Sequence, residues 1–239
     1  MKNQGAVVLF SGGLDSTTAL YWSLKRFGAV TALTFTYEQS HSVEVGAARR
    51  IAADLNVEWR HMSLPLGGWV ESALVGDGRK IPESLAASRD SRGIPHTYVP
   101  FRNGIFLSLA AAWAESREIP HLVTGFNRID TPDYPDTTAE FAEQMEAAIN
   151  AGTTAKRRGW AFHIHLPLAK LTKKDIVALG LSLGADYSRS VSCYRQGEVP
   201  CGRCPSCEIR FRAFNQLGME DPLVTRLKKE GRYGLGTGG

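Results

Sequence analysis

The four cysteines of this chain are the first residues whose type and spacing indicate chemistry. All of them lie between residues 193 and 207, in the pattern C-x7-C-x2-C-x2-C. A C-x2-C unit brings two thiolates to one ion across a tight turn, and four thiolates close a tetrahedral shell around Zn²⁺. Such a shell leaves no open position for water. We therefore predict a structural zinc site formed by Cys193, Cys201, Cys204 and Cys207.

Two other states of these thiols are compatible with the same pattern. An iron–sulfur cluster also takes four cysteine ligands. Four buried thiols or two disulfides would leave the cysteines without any metal. The two overlapping C-x2-C units and the lack of cysteine elsewhere in the sequence favour a metal site over this last alternative.

A second candidate site lies near the N-terminus, where a glycine-rich turn separates a predicted strand, Ala6–Phe10, from a predicted helix, Thr17–Leu24. The turn, Ser11-Gly12-Gly13-Leu14-Asp15-Ser16, aims backbone N–H groups and the positive end of the helix at one point, which creates an anion site. Glycines let a phosphate approach the backbone because they carry no Cβ. We predict a nucleotide pyrophosphate loop, although an ordinary turn with a Ser or Asp helix cap uses the same residues.

This loop differs from the phosphate loop of kinases and GTPases, which requires G-x4-G-K-[ST]. No lysine follows Gly13, and the hydroxyls of Ser11, Ser16 and Thr17 take its place. Asp15 is a candidate either for holding Mg²⁺ or for capping the helix.

Alternating strands and helices are predicted to position these motifs, with Thr172 as the N-cap of the last helix. The alternation predicts an α/β fold with a doubly wound parallel sheet over residues 1–185, followed by a small C-terminal zinc-binding helical region and tail over 186–239. Residues 67–95 form a long polar stretch, predicted to be a lid or disordered. The further predicted strands are Val30–Thr36, Glu58–Met62, His121–Gly125 and Phe162–Leu166, and the further predicted helices are Ser42–Leu55, Asn103–Glu115, Phe141–Ala151 and Lys173–Leu183.

Composition and charge limit the class of protein. A chain of 239 residues with 43% hydrophobic and 22% charged residues is ordinary for a globular protein of one large or two small domains. No apolar stretch approaches the roughly 20 residues of a membrane span, and the N-terminus lacks a signal-peptide core. Thiolate ligands suit a reducing cytoplasm. The net charge of +4 permits nucleic-acid binding without requiring it, since ATP and an anionic substrate explain it equally well.

The glycine-rich loop resembles the pyrophosphate loop of the N-type ATP pyrophosphatases, which split ATP between its α and β phosphates and pass AMP to a carbonyl or carboxyl oxygen. In combination with four other segments, it is similar to the 7-cyano-7-deazaguanine synthase family of queuosine biosynthesis, from about Val7 to about Gly218. The resemblance implies an adenine nucleotide alpha hydrolase-like fold, the use of ATP, Mg²⁺ and Zn²⁺, and a homodimer. The four segments are Val99–Asn103, Tyr134–Asp136, Leu171–Lys173 and the cysteine cluster Cys193–Cys207.

The resemblance implies a ligase that forms C–N bonds in two rounds. ATP adenylates the carboxylate of 7-carboxy-7-deazaguanine, and ammonia displaces AMP to give the amide. A second ATP activates the amide oxygen, and loss of AMP leaves the nitrile. Free ammonia is the expected donor because no glutaminase domain is evident in the sequence.

The resemblance also suggests roles for individual residues. Asp15, Arg102 and Lys173 are the predicted catalytic residues, with the two cations neutralising phosphate charge unless they are ordinary surface cations. Asp133 or Asp136 is predicted to read the N–H donors of the guanine-like edge; the alternative is a solvated turn in which Asp is a cap. The predicted ATP-binding residues are Phe10, Ser11, Gly12, Gly13, Leu14, Asp15, Ser16, Thr17, Thr18, Ala19 and Leu20.

Several positions depart from the family pattern. Phe101 stands where glycine is usual, Thr137 where cysteine is usual and Val191 where tryptophan is usual, and Tyr37-Glu-Gln-Ser-His41 replaces Tyr-Gly-Gln-Arg-His. We expect most of these changes to lie near the substrate. They leave open a relative that stops at the amide, or one that couples the activated acid to another amine such as a protein N-terminus.

Two other classes of function remain to be weighed. A tRNA-thiolating enzyme of this superfamily needs a cysteine free to carry persulfide or an open iron site, whereas the predicted metal site takes every thiol. An inactive ATP-binding or zinc-binding module is the second class, and the intact loop at Ser11–Ser16 argues against it.

Overall fold

A parallel five-stranded β-sheet forms the centre of the chain in the computed structural model, which describes residues 1, 4–37, 42–66, 69–75, 89–127, 134–195 and 197–233. The strand order is β3-β2-β1-β4-β5, and every neighbouring pair is parallel. This topology confirms the predicted doubly wound sheet. The strands are β1 (Gly5–Leu9), β2 (Ala29–Thr36), β3 (Glu58–Ser63), β4 (His121–Val123) and β5 (His163–His165).

The five helices predicted with bounds are present, with ends shifted by up to three residues, and two more, Pro205–Asn215 and Pro222–Lys229, lie in the region predicted only as helical. The first helix begins at Leu14, within the predicted loop, because Gly13 is its N-cap. Thr172 caps its helix as predicted, in a capping box with Asp175. The helices are α1 (Leu14–Leu24), α2 (Ser42–Asp54), α3 (Arg102–Glu115), α4 (Ala139–Gly152), α5 (Lys173–Ser182), α6 (Pro205–Asn215) and α7 (Pro222–Lys229), with short 3-10 helices at Pro135–Thr137 and Ala155–Arg158.

Both faces of the sheet are covered by helices. Successive residues of a strand point to opposite faces, and β1 shows this directly. Val8 belongs to a core with Leu20 and Ile176 from α1 and α5. Its neighbour Val7 belongs to a second core, with Leu107 from α3. A parallel sheet buried on both faces accounts for the continuous apolar run of β1.

The chain order reverses at the centre of the sheet, where β1 pairs with both β2 and β4. In open α/β sheets the crevice outside the carboxyl ends of the strands at this switch point is the usual ligand site. The loops after β1 and β4 meet there: a Cβ on Gly125 would lie 3.0 Å from the amide nitrogen of Ser16. The fold thus places the predicted phosphate loop at the switch point.

The C-terminal region packs into the same core as the sheet domain. Tyr187 and Phe214 are fully buried and share a cluster with Leu20. The Tyr187 hydroxyl lies 2.7 Å from Thr18 Oγ1. It also lies against Gly180, where a Cβ would come 1.7 Å from the Tyr187 hydroxyl oxygen. The boundary predicted at residue 185 stays a prediction.

The predicted lid over residues 67–95 falls partly outside the described residues, because 67–68 and 76–88 are not among them. Its described parts consist mainly of turns, with isolated bridges between Ser72 and Val75 and between Arg89 and Pro95. Within the part of the chain that the structure describes, no helix has both the length and the hydrophobicity to cross a membrane.

Candidate active site

A cavity of about 350 Å³ lies at the carboxyl edge of the sheet and brings the two ends of the sequence together. Residues of the phosphate loop form one side, and α2, α3, α5 and the segment beside the cysteine cluster form the others. Most of the residues predicted for nucleotide chemistry line it: Phe10, Ser11, Gly13, Leu14, Asp15, Ser16, Arg102 and Lys173.

Hydroxyl groups of the phosphate loop hold its backbone in shape. The Gly13 amide donates to Ser11 Oγ over 3.3 Å, Ser11 Oγ and Ser16 Oγ lie 3.0 Å apart, and Ser16 Oγ donates to the Gly13 carbonyl over 3.1 Å. The first-turn amides of Asp15 and Ser16 have no acceptor within α1. They therefore provide donors, at the positive end of the helix, for an anion in the cavity.

Gly12 is required by packing as well as by conformation. Its φ of +82° lies in the left-handed region. A Cβ at this position would come 2.7 Å from the backbone nitrogen of Ala48 and 2.9 Å from the carbonyl oxygen of Glu44. The absence of a side chain at Gly12 thus lets α2 lie directly against the phosphate loop.

The last four residues predicted to bind the nucleotide have side chains in the core. Thr17, Thr18, Ala19 and Leu20 are all fully buried, and the cavity wall formed by α1 ends at Ser16. Thr18 Oγ1 donates to the Leu14 carbonyl over 3.1 Å. Their side chains support the helix behind the loop, and their predicted part in nucleotide binding stays a prediction.

Asp15 and Lys173 form an ion pair on the cavity wall. Lys173 Nζ donates to Asp15 Oδ1 over 2.8 Å and to Oδ2 over 2.6 Å. The Lys173 side chain is 14% exposed and that of Asp15 is 28% exposed. Asp15 occupies the first turn of α1, and Lys173 opens α5 directly after the Thr172 cap. The pair places a positive and a negative group beside the phosphate loop.

Arg102 reaches the same cavity from the start of α3. Its Nη1 donates to the Tyr37 hydroxyl over 2.8 Å, and the guanidinium lies 5.6 Å from the centre of the Tyr37 ring. Burial raises the pKa of the Tyr37 hydroxyl above its usual value, against the opposing effect of Arg102. Tyr37 therefore stays neutral at physiological pH, and the guanidinium keeps its charge for a ligand.

Asp136, predicted as a possible base-recognition residue, accepts a hydrogen bond at the start of α3. Its Oδ2 accepts from the Asn103 amide over 3.0 Å, which caps the start of α3, and the residue is only 3% exposed. Its Oδ1 has no hydrogen-bond partner among the described residues. Tyr134 and Thr137 line the cavity, while Asp136 lies behind them. The other candidate, Asp133, lies outside the described residues.

Several polar residues of the cavity were not predicted from the sequence. Glu44 lies in the first turn of α2, just after the carboxyl end of β2. Because ligand sites lie beyond the carboxyl ends of parallel strands, this position could have marked it as a site residue. Arg210, Ser192 and Tyr194 come from the region around the cysteines, and no sequence pattern connected them with the phosphate loop. The other polar lining residues to which the sequence assigned no individual role are Thr34, Tyr37, Thr97, Asn103, Asn127, Tyr134, Thr137 and Ser206, of which Thr137 was expected near the substrate.

Arg210 links the C-terminal helices to the phosphate loop. It is 2% exposed and donates to both oxygens of Asp221, over 2.6 and 2.8 Å. Its Nη1 also donates to Ser192 Oγ over 3.4 Å, and the same hydroxyl accepts from the Leu14 amide over 3.3 Å. The loop is therefore supported from the C-terminal region, which explains why both regions share one cavity.

The cysteine cluster has the shape of a metal site. The four Sγ atoms lie within 4.8 Å of one another, and all four thiols are free of disulfide bonds. Four sulfurs at 2.3 Å from one ion in tetrahedral geometry would lie about 3.8 Å apart. The Cys204 amide donates to Cys201 Sγ and the Arg195 amide to Cys193 Sγ, both over 3.4 Å. These donors and the burial of Cys193, Cys204 and Cys207 suit thiolate ligands.

Residues 5–218 match the family described as Queuosine biosynthesis protein QueC. The chain belongs to the QueC family. It is 41% identical to the 7-cyano-7-deazaguanine synthase of Psychrobacter sp. (strain PRwf-1), over 92% of this chain and 90% of that protein. It is 42% identical to the synthase of Thermoplasma acidophilum, over 93% and 92%. These matches confirm the resemblance predicted from the motifs and show that the chain is an enzyme.

Among solved structures, a 4-thiouridine synthetase–RNA complex with bound ATP has 20% sequence identity and a TM-score of 0.49, covering 96% of this chain and 53% of that one. Similarity at this level adds nothing to the assignment. Membership in the QueC family rests on the sequence matches, which extend across both the phosphate loop and the cysteine cluster.

Of the three single-residue departures from the QueC pattern, Phe101 and Val191 are not among the residues that line the cavity, and the changed residues 38 and 40 of the Tyr37–His41 segment lie outside the described residues. Phe101 is 53% exposed and has φ 53°, a left-handed conformation that explains why glycine suits this position. Val191 is buried against Ala47 and Leu223. Thr137 does line the cavity, and its hydroxyl donates to the Tyr134 carbonyl over 2.8 Å. Thr137 is thus the single-residue departure that lies on the described cavity surface, and the expectation that most departures lie near the substrate stays a prediction.

Proposed function

We propose that this enzyme converts 7-carboxy-7-deazaguanine and ammonia to 7-cyano-7-deazaguanine, with two ATP molecules each cleaved to AMP and pyrophosphate. The main observation in support is the single cavity that joins the phosphate loop, the Asp15–Lys173 pair and Arg102, in a chain of the QueC family. Its relatives at about 40% identity carry the name of this synthase.

The phosphate loop suits the departing pyrophosphate. The first-turn amides of Asp15 and Ser16 would donate to its oxygens at the positive end of α1, and the hydroxyls of Ser11 and Ser16, which lie 3.0 Å apart, hold the loop in shape beside them. Lys173 and Arg102 offset the charge that develops as the bond between the α and β phosphates breaks. Asp15 is the carboxylate beside this position that would hold Mg²⁺, which when bound neutralises phosphate charge.

In each round, AMP turns a poor leaving group into a displaceable one. The acid oxygen takes AMP first, and ammonia then forms the new C–N bond, which makes the enzyme a ligase. The amide oxygen takes the second AMP, and its departure leaves the nitrile. Both adenylated intermediates must be kept from water, which would otherwise hydrolyse them.

The cysteine cluster would hold one structural Zn²⁺ through Cys193, Cys201, Cys204 and Cys207. Four thiolates complete the shell, so the ion supplies folding energy rather than a reactive water. Cys204 is the N-cap of α6 and Cys207 lies in its first turn. The ion would thereby fix the helix that carries Arg210.

We assign recognition of the deazaguanine base to Asp133 or Asp136. Asp136 has only Oδ1 free, because Oδ2 caps α3. Asp136 is also buried and is not among the residues that line the cavity, so we favour Asp133 for that role. The homodimer, the cytoplasmic location and the use of free ammonia are expectations of the same proposal.

The decisive experiment is mass spectrometry of the products from 7-carboxy-7-deazaguanine, ATP, Mg²⁺ and ammonia. We expect the nitrile, with two AMP and two pyrophosphate per nitrile. Amide alone under excess ATP would instead show a truncated reaction. Stoichiometric ADP and phosphate would contradict the role of the phosphate loop. Turnover of ATP with tRNA, and none with the acid, would favour thiolation, which the engagement of all four cysteines in one cluster disfavours.

A further inference from the structure

We propose that Glu44 is the group that accepts protons from the substrate nitrogen in both rounds of the reaction. The inference rests on the proposed function and adds a residue that performs its proton transfers. Both rounds require such an acceptor, since ammonia enters with three hydrogens on nitrogen and leaves as a nitrile with none.

Glu44 is held at the cavity by backbone packing. It lies in the first turn of α2, which follows the carboxyl end of β2. Because Gly12 has no Cβ, the Glu44 carbonyl and the Ala48 amide lie directly against the phosphate loop. The Glu44 side chain lines the cavity together with Asp15 and Arg102.

The carboxylates of the cavity wall differ in their partners. Both oxygens of Asp15 accept from Lys173. Glu44 has no hydrogen bond or ion pair among the described residues, and these two are the carboxylates that the described residues contribute to the lining. A free carboxylate in a cavity built for anions is costly, and a role in the reaction accounts for its presence there.

Burial raises the pKa of Glu44 to about 7, although the charge of Arg102 opposes the shift. Among the described residues, the titratable groups that interact with it are Arg102 from α3, Tyr37 after β2 and Tyr194 beside the cysteine cluster. A general base is most effective when its pKa lies near the working pH, because it is then both ionised and basic.

In the first round, ammonia attacks the acyl adenylate and its nitrogen becomes positively charged. One N–H proton passes to a Glu44 oxygen, and the bond from carbon to the AMP oxygen breaks with its electron pair going to AMP. The product is the amide. Glu44 returns its proton to solvent before the second ATP reacts.

In the second round, the adenylated amide loses two N–H protons. The first passes from the cationic nitrogen to Glu44, which returns it to solvent, and the product is a neutral imidate. As the second passes to Glu44, its bonding pair forms the third C–N bond and the C–O pair leaves with AMP. Carbon, nitrogen and charge then balance as nitrile, AMP and two released protons.

The test compares wild type, Glu44→Gln and the control Asp54→Asn, which changes an exposed carboxylate at the far end of the same helix, paired with Arg189. Exchange of labelled pyrophosphate into ATP with the acid, without ammonia, reports adenylation alone. We expect exchange in Glu44→Gln within about threefold of wild type, and formation of amide and nitrile lowered by roughly 100-fold or more. Asp54→Asn should match wild type in both assays.

The pH profile of nitrile formation from the amide, which needs no ammonia, is the second measurement. In wild type it should fall as pH drops below about 7, and Glu44→Gln should lose this limb. An unchanged profile, or an equal fall in exchange and product formation, would overturn the role of Glu44. Wild-type enzyme that makes no adenylate from the acid would instead refute the proposed function itself.

Discussion

Lys173 and Asp15 lie 158 residues apart in the sequence, yet the Lys173 ammonium donates to both carboxylate oxygens of Asp15, over 2.8 and 2.6 Å. The pair joins the first turn of α1 to the first turn of α5, on the wall of the cavity. Its position beside the phosphate loop leads directly to the first prediction.

Lys173→Met should lower the rate of adenylation by roughly 100-fold, because it removes a positive charge placed to stabilise the transition state while it keeps the apolar stem. Lys174→Met is the matched control, since Lys174 is the next residue of the same helix and is exposed. Pyrophosphate exchange checks both variants. A similar loss in both would show that the effect comes from α5 as a whole.

Asp15→Asn should also cripple the cleavage of ATP, since an amide is a poorer partner for both Mg²⁺ and Lys173. The metal content of the cysteine cluster should stay at the wild-type level, as the cluster belongs to a different part of the chain. Elemental analysis and AMP release measured on the same sample test this. Loss of metal together with activity would indicate unfolding instead.

Cys204→Ser should lower zinc content from one ion per chain to a small fraction of that, and should lower the Tm by several degrees. The metal's binding energy is realised only in the folded state, so removing a ligand removes folding energy. Elemental analysis and thermal unfolding measure the two effects. A brown, iron-containing wild-type protein would favour an iron–sulfur cluster. Wild-type protein that contains no metal and has the same Tm as protein supplied with zinc would refute a metal site.

Asp133→Ala and Asp136→Ala should fail in different ways. Asp133→Ala should raise the KM for the deazaguanine acid more than tenfold at an unchanged Tm, since two hydrogen bonds to a charged group contribute about 1.5–3 kcal/mol each. Asp136→Ala should lower stability by about 1 kcal/mol through loss of the α3 cap. Asp136→Asn keeps an oxygen for the Asn103 amide and should restore most of that stability. Equal KM effects at unchanged Tm would reverse our preference for Asp133.

Glu44→Gln should raise stability at pH 8 and have little effect at pH 4. The folded-state pKa of Glu44, about 7, lies above the ordinary value of 4.5. Stability from this carboxyl is therefore fully present below pH 4.5 and is lost as pH rises through 7. The variant removes the cost of ionisation. Tm measured across this range, with Asp54→Asn as control, should show the two curves separating above pH 5, and parallel curves would contradict the raised pKa.

Local sequence was sufficient to predict the elements and the two motifs. The apolar run before Ser11, the glycines of the loop and the Thr172 cap specify their structures through neighbouring residues. The spacing of the cysteines likewise predicted one cluster, because ligands separated by two residues must lie close together. These features depend on short-range geometry, which a sequence pattern contains.

Tertiary structure alone decided which residues share the cavity and what each side chain does there. Asp136 became a helix cap because α3 starts beside it. Thr18 faces the core because Tyr187 packs against it. Glu44 stands at the phosphate loop because Gly12 permits a close approach of α2. Each outcome depends on contacts between segments distant in sequence, and the local pattern indicates at most that Glu44 follows the carboxyl end of β2, without showing what it contacts.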